Sequence, residues 1–380
     1  MYSVDAYGKM ITDEPRTQAY IQALQKTVKP GSVVVEIGTG PGFFAMLAAK
    51  LGARRVYAIE PDNVIQIARE SARQNGLRDK IEFIQDFSTK ICLPEPADVI
   101  LADLRGVLPF YGASLRSMQD ATKRFLRAGG TVIPARDFMQ AALVSAPTTY
   151  KKLEGPWHTL EDISLKPARN VVMNTWSKYR GDAAELLCEP LTWHTINYSN
   201  IESLDAASDL TFETTQSGTL HGIAVWFDSD LYDGVSISNA PGQPELVYGN
   251  AFFPLLHPVD VEIGEKVHLR LRVDLVRDEY IWSWETRVPR ANSDEPKAHF
   301  KQSTLFGVPL AQSQLKKRSS SFRPALSDEA EVSAFVLSQM DGISSNQEIA
   351  QKVLDKFPER FATDAEALDA VAETAVKHSR

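Results

Sequence analysis

Val33-Val34-Val35-Glu36-Ile37-Gly38-Thr39-Gly40-Pro41-Gly42 runs without a break into Phe43-Phe44-Ala45-Met46-Leu47-Ala48-Ala49-Lys50-Leu51. A largely β-branched run stops at a glycine-rich turn, and the turn opens into an apolar segment with Phe43, Met46 and Leu47 on one side of a helix. Further short strands are expected at residues 55–60, 81–84 and 98–101, with helices between them, such as 43–51 and 63–75. This alternation predicts a mostly parallel sheet with helices on both faces, a Rossmann-like α/β domain over residues 1–140. Such sheets bind ligands at the carboxyl ends of their strands.

The informative residues fall at those ends. Gly38, Gly40 and Gly42 allow a tight turn and a close backbone approach to a ligand. Their spacing is G-x-G-x-G, with Glu36 two residues ahead, whereas dinucleotide sites show G-x-G-x-x-G and seat a pyrophosphate on the helix N-terminus. A cofactor that lacks phosphates but carries an ammonium and a carboxylate makes better use of Glu36. Glu60, ending the second strand, is placed to accept from ribose hydroxyls, and Asp86, after the third, to reach an adenine edge. Two alternatives stay open at this level: NAD binding, and an ordinary turn with exposed carboxylates.

Composition bounds the rest. The chain has 380 residues, 43% of them hydrophobic and 24% charged, which fits two or three soluble globular domains. No apolar run reaches the length of a membrane span, and the N-terminus has no secretory pattern, so a cytoplasmic protein off the membrane is expected. Cys92 and Cys188 are the only cysteines, so a disulfide framework is excluded, and no metal-ligand set is expected. A net charge of −8 argues against a nucleic-acid partner.

Several blocks resemble the protein arginine methyltransferases: YGKMITDEPRT at 7–17, VVVEIGTGPG at 33–42, AAKLGARRVYAIEP, ARQNGLRDKIEFI and Gly129-Gly130-Thr131-Val132-Ile133-Pro134. His221-Gly222-Ile223-Ala224-Val225-Trp226-Phe227-Asp228 is similar to a barrel strand of that family. The resemblance covers about 300 residues. It implies a class I methyltransferase domain followed by a β-barrel with a dimerisation arm, S-adenosylmethionine as cofactor, S-adenosylhomocysteine as product, a peptide or protein substrate, and a homodimer. It also implies that Arg16 pairs with the cofactor carboxylate, and that Met10 and Phe87 join Glu36, Glu60, Asp86 and the glycines around the cofactor.

The acceptor loop departs from that family, which holds a guanidinium between two glutamates by paired charge-assisted hydrogen bonds. Here the loop reads Ala102-Asp103-Leu104-Arg105-Gly106-Val107-Leu108-Pro109-Phe110-Tyr111-Gly112-Ala113. Asp103 stands at the first glutamate's position and Gly112 at the second, while Arg105 adds a positive charge. The family's His-Trp pair aligns with Tyr248-Gly249, and a His-Phe occurs elsewhere, at His299-Phe300. The expectation is therefore an N-methyltransferase acting on a neutral side-chain nitrogen, with an asparagine amide in a ribosomally made peptide as the sharpest case. Asp103 is the candidate catalytic acid, and Tyr7 and Tyr111 the groups that orient the acceptor. Arginine methylation with a rebuilt loop, and a catalytically silent module that keeps the cofactor, are the alternatives.

Residues 141–315 read as β-rich, with strands at 261–263 and 266–273 and with Tyr280, Trp282 and Trp284 as barrel core. The segment around 150–189 falls where the family inserts its dimerisation arm. KKRSSSFRP at 316–324 has four basic residues and three serines, a linker composition, and the 325–380 segment then shifts to 11 acidic against 5 basic residues. Three helices are expected there, on faces Val332, Phe335, Val336, Met340; Ile349, Val353, Leu354, Phe357; and Leu368, Val371, Ala375, the last capped by Thr363. The segment resembles the helical half of small PqqD-related winged-helix domains that bind leader peptides. A helical appendage without peptide binding is the other reading.

Overall fold

Ser3 and Asp13 start the first two helices by accepting a hydrogen bond from the backbone three residues on: Ser3 Oγ from Ala6 and Asp13 from Arg16. The helices are α1 (Val4–Thr12) and α2 (Glu14–Thr27), and Pro15 sits in the first turn of α2, where a missing N–H costs nothing. The computed structural model of the protein describes residues 3–290 and 293–379.

The expected alternation follows, as β1 (Val33–Ile37), α3 (Phe43–Lys50), β2 (Arg55–Ile59), α4 (Ile65–Gln74), β3 (Ile81–Ile84), β4 (Ala97–Ala102), α5 (Ser114–Arg124) and β5 (Leu126–Ile133). The five strands form one parallel sheet in the order β3-β2-β1-β4-β5. All of β1 is buried, which explains why Val33 to Ile37 reads as a continuous rather than an alternating run. The order reverses direction between β1 and β4, and the crevice opens there.

The chain then turns β-rich: β6 (Arg136–Val144), α6 (Pro147–Glu154), α7 (Lys166–Val172), β7 (Ser177–Tyr179), β8 (Leu191–Asn197), β9 (Ala206–Glu213), β10 (Gly218–Tyr232), β11 (Val235–Ser238), β12 (Asn250–Val261), β13 (Lys266–Val276), β14 (Glu279–Arg290) and β15 (Ser293–Ser303). Where the sequence suggests a barrel, the strands make two antiparallel sheets around a common core. One runs β7-β12-β10-β6-β8 with β11 on β10, the other β15-β14-β13-β9. Phe253 of β12 packs against both Trp282 and Trp284 of β14, with ring centroids 5.2 Å apart in each pair. The Trp284 indole N–H donates to the Pro254 carbonyl at 3.1 Å, so these tryptophans are core, as their alternation implies.

Three details differ from the sequence reading. The parallel sheet ends at Ile133 and β6 starts at Arg136, a few residues before 140, and one continuous hydrophobic core joins the two regions. Glu262 and Ile263 are not strand: they lie in the turn between β12 and β13, where Gly264 takes φ +80°. His299 lies on β15, hydrogen-bonded to Glu285, whereas Tyr248 lies in the turn that precedes β12 of the other sheet, so the two are unrelated positions.

The chain divides into two compact units, Met1–Pro309 and Leu310–Arg380. The second holds α8 (Gln312–Lys317), α9 (Asp328–Gln339), α10 (Asn346–Lys356) and α11 (Asp364–His378), so the linker composition at 316–324 begins inside a short helix. Val332, Val336, Ile349, Ala350, Val353, Ala367 and Val371 form its own core, and Thr363 caps α11 by accepting from the Glu366 N–H. Among the described residues no helix is long and apolar enough to cross a membrane.

Candidate active site

The turn after β1 is held from inside. Gly38 and Thr39 donate their N–H groups to the Ile59 carbonyl, Gly42 donates to Thr39, and Gly40 donates to Glu60 Oε2 at 3.0 Å. Pro41 has no N–H, so every donor of this turn already has an acceptor within the protein. Gly38 and Gly40 have φ of +74° and +52°, and an added Cβ would meet the Leu104 side chain at 2.5 Å and the Tyr7 ring at 2.7 Å. The third glycine acts differently from the expectation. Gly42 does not line the cavity; it precedes α3, and a Cβ there would strike that of Ala68 on α4 at 2.8 Å.

Above this turn lies a cavity of about 760 Å³. Parallel pairing in the order β3-β2-β1-β4 sets Asp86, Glu60, Glu36 and Asp103 in that order along one edge of the sheet, and all four reach the cavity. Tyr7, Met10, Arg16, Gly38, Gly40, Phe87 and Tyr111 line it as well. Glu60 ties the edge together, its second oxygen accepting from the Asp62 N–H at 3.0 Å. Glu36 is buried and accepts from the Thr39 hydroxyl at 2.6 Å. Burial pushes its carboxyl up to about 8, against the opposing pull of the Thr39 hydroxyl and the Ala45 N–H. An edge of carboxylates above a turn with no spare N–H is a poor seat for pyrophosphate. It suits a cofactor with hydroxyls, an ammonium and an adenine instead.

Arg16 closes the far end. Its Nε donates to Asp103 Oδ2 at 2.7 Å and to the Tyr248 hydroxyl at 2.9 Å, and its Nη1 donates to the Met10 carbonyl at 2.9 Å. Of its five N–H groups two stay available to a ligand carboxylate. Asp103 is held on both sides, by Arg16 through Oδ2 and by Arg105 Nε through Oδ1 at 3.1 Å, and it also accepts from the Tyr248 hydroxyl at 2.5 Å. Burial alone would raise its pKa, but Arg16, Arg105 and Tyr248 outweigh burial and hold it at about 2.

Arg105 does not face an acceptor as a free cation, which the loop sequence suggests. Its side chain is 3% exposed, turned inward against Asp137 at 3.0 Å and Ser229 at 2.9 Å, and it donates to the Tyr20 hydroxyl. Its charge is met by Asp103 of the loop and by Asp137 of β6, which the loop sequence does not contain. Gly112, in the same lining, leaves open space, with nothing within 4 Å of where a Cβ would stand. The wall is completed by Trp176, Lys178, Val247 and Tyr248 from the β-rich region, which local sequence motifs did not reveal. Tyr248 was visible only as a departure from the family pattern.

The chain is similar to known methyltransferases. Residues 12–135 match the family model of ribosomal protein L11 methyltransferase (PrmA), and residues 174–347 match that of the PRMT5 oligomerisation domain. An arginine N(omega)-methyltransferase of Streptomyces achromogenes subsp. streptozoticus is 29% identical over 277 residues, 69% of this chain and 74% of the relative. A probable protein arginine N-methyltransferase 6 of Arabidopsis thaliana is 27% identical over 255 residues, 64% of this chain and 58% of the relative. Among solved structures, the Trypanosoma brucei PRMT1 enzyme–prozyme complex with AdoHcy superimposes with a TM-score of 0.72 at 19% identity, covering 78% of this chain and 97% of that one. Arabidopsis thaliana protein arginine methyltransferase 10 gives 0.70 at 20%, covering 79% and 97%.

The protein is an S-adenosylmethionine-dependent methyltransferase. Its fold is that of the protein arginine methyltransferases. Glu60, Asp86, Phe87, Arg16 and Glu36, the residues expected around the cofactor, all line the one cavity above the glycine turn.

Glu60→Ala should weaken S-adenosylhomocysteine binding about tenfold or more, the worth of a charged hydrogen bond of roughly 1.5–3 kcal/mol. Because Glu60 also holds the Gly40 and Asp62 N–H groups, the variant's melting temperature should fall even without ligand. Calorimetry showing unchanged affinity would remove Glu60 from the cofactor site. Glu36 makes a second test. A carboxyl whose pKa is higher in the fold than in the unfolded chain stabilises fully below the ordinary carboxylate range, and that stability is lost as pH rises toward about 8. Glu36→Gln stays neutral, so its Tm should fall less than wild type between about pH 5 and about pH 9. Parallel curves would show that Glu36 is ionised throughout.

Proposed function

We propose that the methyltransferase modifies a neutral side-chain nitrogen of a peptide, with the asparagine amide as the preferred acceptor. One observation carries this. Asp103, the acid that would begin a guanidinium clamp, is already bound by Arg16, Arg105 and Tyr248, and Gly112 supplies no second acid. A guanidinium is permanently charged, and burying it without matching carboxylates costs several kcal/mol, whereas an amide needs only hydrogen bonds. The names of the relatives favour a second reading, arginine methylation.

Bound S-adenosylmethionine supplies a methyl group on a sulfonium, so the protein's contribution is positioning for an in-line displacement. Asp103 is the group proposed to orient the acceptor, through a hydrogen bond to the free side of Oδ1. With a pKa of about 2 it accepts a hydrogen bond better than it stores a proton, so the proton that the nitrogen loses as the N–CH3 bond forms and the sulfonium S–CH3 bond breaks passes on to solvent water. Tyr7, whose ring covers Gly40, and Tyr111, on the loop before α5, are proposed to confine the acceptor's side chain. We further propose that the Leu310–Arg380 unit holds the leader of a precursor peptide. Its independent core and the exposed Leu337, Ile343 and Val376 support that role. A homodimer is proposed through the segment around 150–189, where Leu160 and Ile163 are exposed.

Mass spectrometry after incubation with S-adenosylmethionine should find methyl groups on asparagine-containing peptides and little on a glycine–arginine-rich peptide. Robust arginine methylation would establish the second reading instead. Asp103→Asn should lower turnover about 10²-fold or more. It should also destabilise the fold by roughly 3–5 kcal/mol, because two buried arginines lose the charge between them. Normal turnover in that variant would show that Asp103 is purely structural. Deleting 325–380 should raise KM for a leader-bearing peptide and leave kcat for a short core peptide nearly unchanged. An unchanged KM would end the leader proposal.

A further inference from the structure

Lys178 stands in the cavity wall beside Trp176, Val247 and Tyr248. Its backbone is fixed by antiparallel pairing of β7 with β12, Lys178 opposite Ala251. Its aliphatic stem lies across Gly249, where a Cβ would come within 2.9 Å of the lysine Cε and 3.3 Å of Cγ, at a backbone φ of +64°. A side chain at 249 would displace the lysine. Glycine at 249 is therefore what leaves room for this cation.

The other cations of the wall are neutralised. Lys9 pairs with Asp5, Arg16 with Asp103, and Arg105 with Asp103 and Asp137. Lys178 donates one N–H to the Val247 carbonyl at 2.5 Å, and among the described residues it has no carboxylate partner. The charged neighbour it feels is Arg180, of the same sign and itself paired with Glu245. Burial against the wall, followed by Arg180, holds its pKa below the ordinary lysine value. Two N–H groups of the ammonium are left for a ligand. This part of the cavity lining thus carries a glycine with open space at 112 and a positive charge at Lys178 that no carboxylate balances among the described residues.

We propose that Lys178 binds a carboxylate of the acceptor molecule, so that the substrate is an acidic peptide with a carboxylate close to the methylated side chain. The inference rests on the amide reading above only for which nitrogen is methylated. The carboxylate has two sources, an Asp or Glu side chain next to the acceptor, or the peptide's own C-terminus.

The full-length protein loaded with S-adenosylhomocysteine is titrated by calorimetry with three short peptides around one asparagine. One has a Gln neighbour and an amidated C-terminus, one a Glu neighbour and an amidated C-terminus, and one a Gln neighbour and a free C-terminal carboxylate. Wild type should bind one of the two acidic peptides roughly fivefold or more tighter than the neutral one, as expected of a charge-assisted pair at a partly exposed site. The tighter of the two names the source. K178M should abolish the difference and K178R keep most of it, while both bind S-adenosylhomocysteine and melt like wild type. Equal binding of all three peptides by wild type, no binding of any, or a preference that survives in K178M would overturn the proposal. Mass spectrometry on the same peptides separates the two ideas. A Lys178-dependent preference without asparagine methylation sinks the amide reading alone, and asparagine methylation without the preference sinks this one alone.

Discussion

A buried run of alternating charge, Arg16–Asp103–Arg105–Asp137, is the constraint on which the acceptor end depends. Each member would be costly in a low-dielectric interior by itself, and each is tolerated because a neighbour of opposite sign and several hydroxyls satisfy it. Tyr20, Tyr198, Ser229 and Tyr248 supply those hydroxyls, from α2, the end of β8, β10 and the approach to β12. The run therefore joins the cofactor domain to the β-rich region by directional bonds as well as by the shared core. Such a network adds less net stability than its bond count suggests, since desolvation opposes the attraction. What it fixes is geometry: the loop after β4 has one position in which all these groups are paired.

The two ends of the cavity use their carboxylates differently. At the cofactor end, Glu60 and Glu36 turn toward backbone N–H groups and the Thr39 hydroxyl, which shapes the turn and leaves an acidic rim. At the acceptor end, Asp103 is bound by arginines on both sides and no longer offers an uncompensated negative charge. The same residue class thus lines one end with carboxyls that burial pushes toward the neutral form and holds a firmly ionised carboxylate between arginines at the other. Lys178 then tips that second end toward positive.

Much of the cofactor end was legible in the sequence because its determinants are local. A residue at the last position of a parallel strand must sit on the carboxyl edge of the sheet, so Glu36, Glu60 and Asp86 could be assigned from short runs alone. Gly42 shows the limit, since whether a glycine faces ligand or a neighbouring helix depends on how α4 packs, and here Ala68 decides it. The turn at Glu262 and Ile263 was misread as strand because two aliphatic residues around a glutamate mimic alternation over too short a span.

The sequence by itself determined the parallel sheet, the glycine turn, the acids at its edge, the tryptophan core and the three C-terminal helices, all of which follow from periodicities and spacings within about fifteen residues. Only the tertiary structure decided what Asp103 and Arg105 do. Their partners Arg16, Asp137 and Tyr248 lie 87, 32 and 145 residues away, and no local pattern encodes which buried charges will meet. The place of Lys178 has the same origin: a strand pairing and a glycine 71 positions along the chain bring it into the wall. Charge in a protein interior acts over ångströms of space, and it is the fold that converts distance along the chain into that proximity.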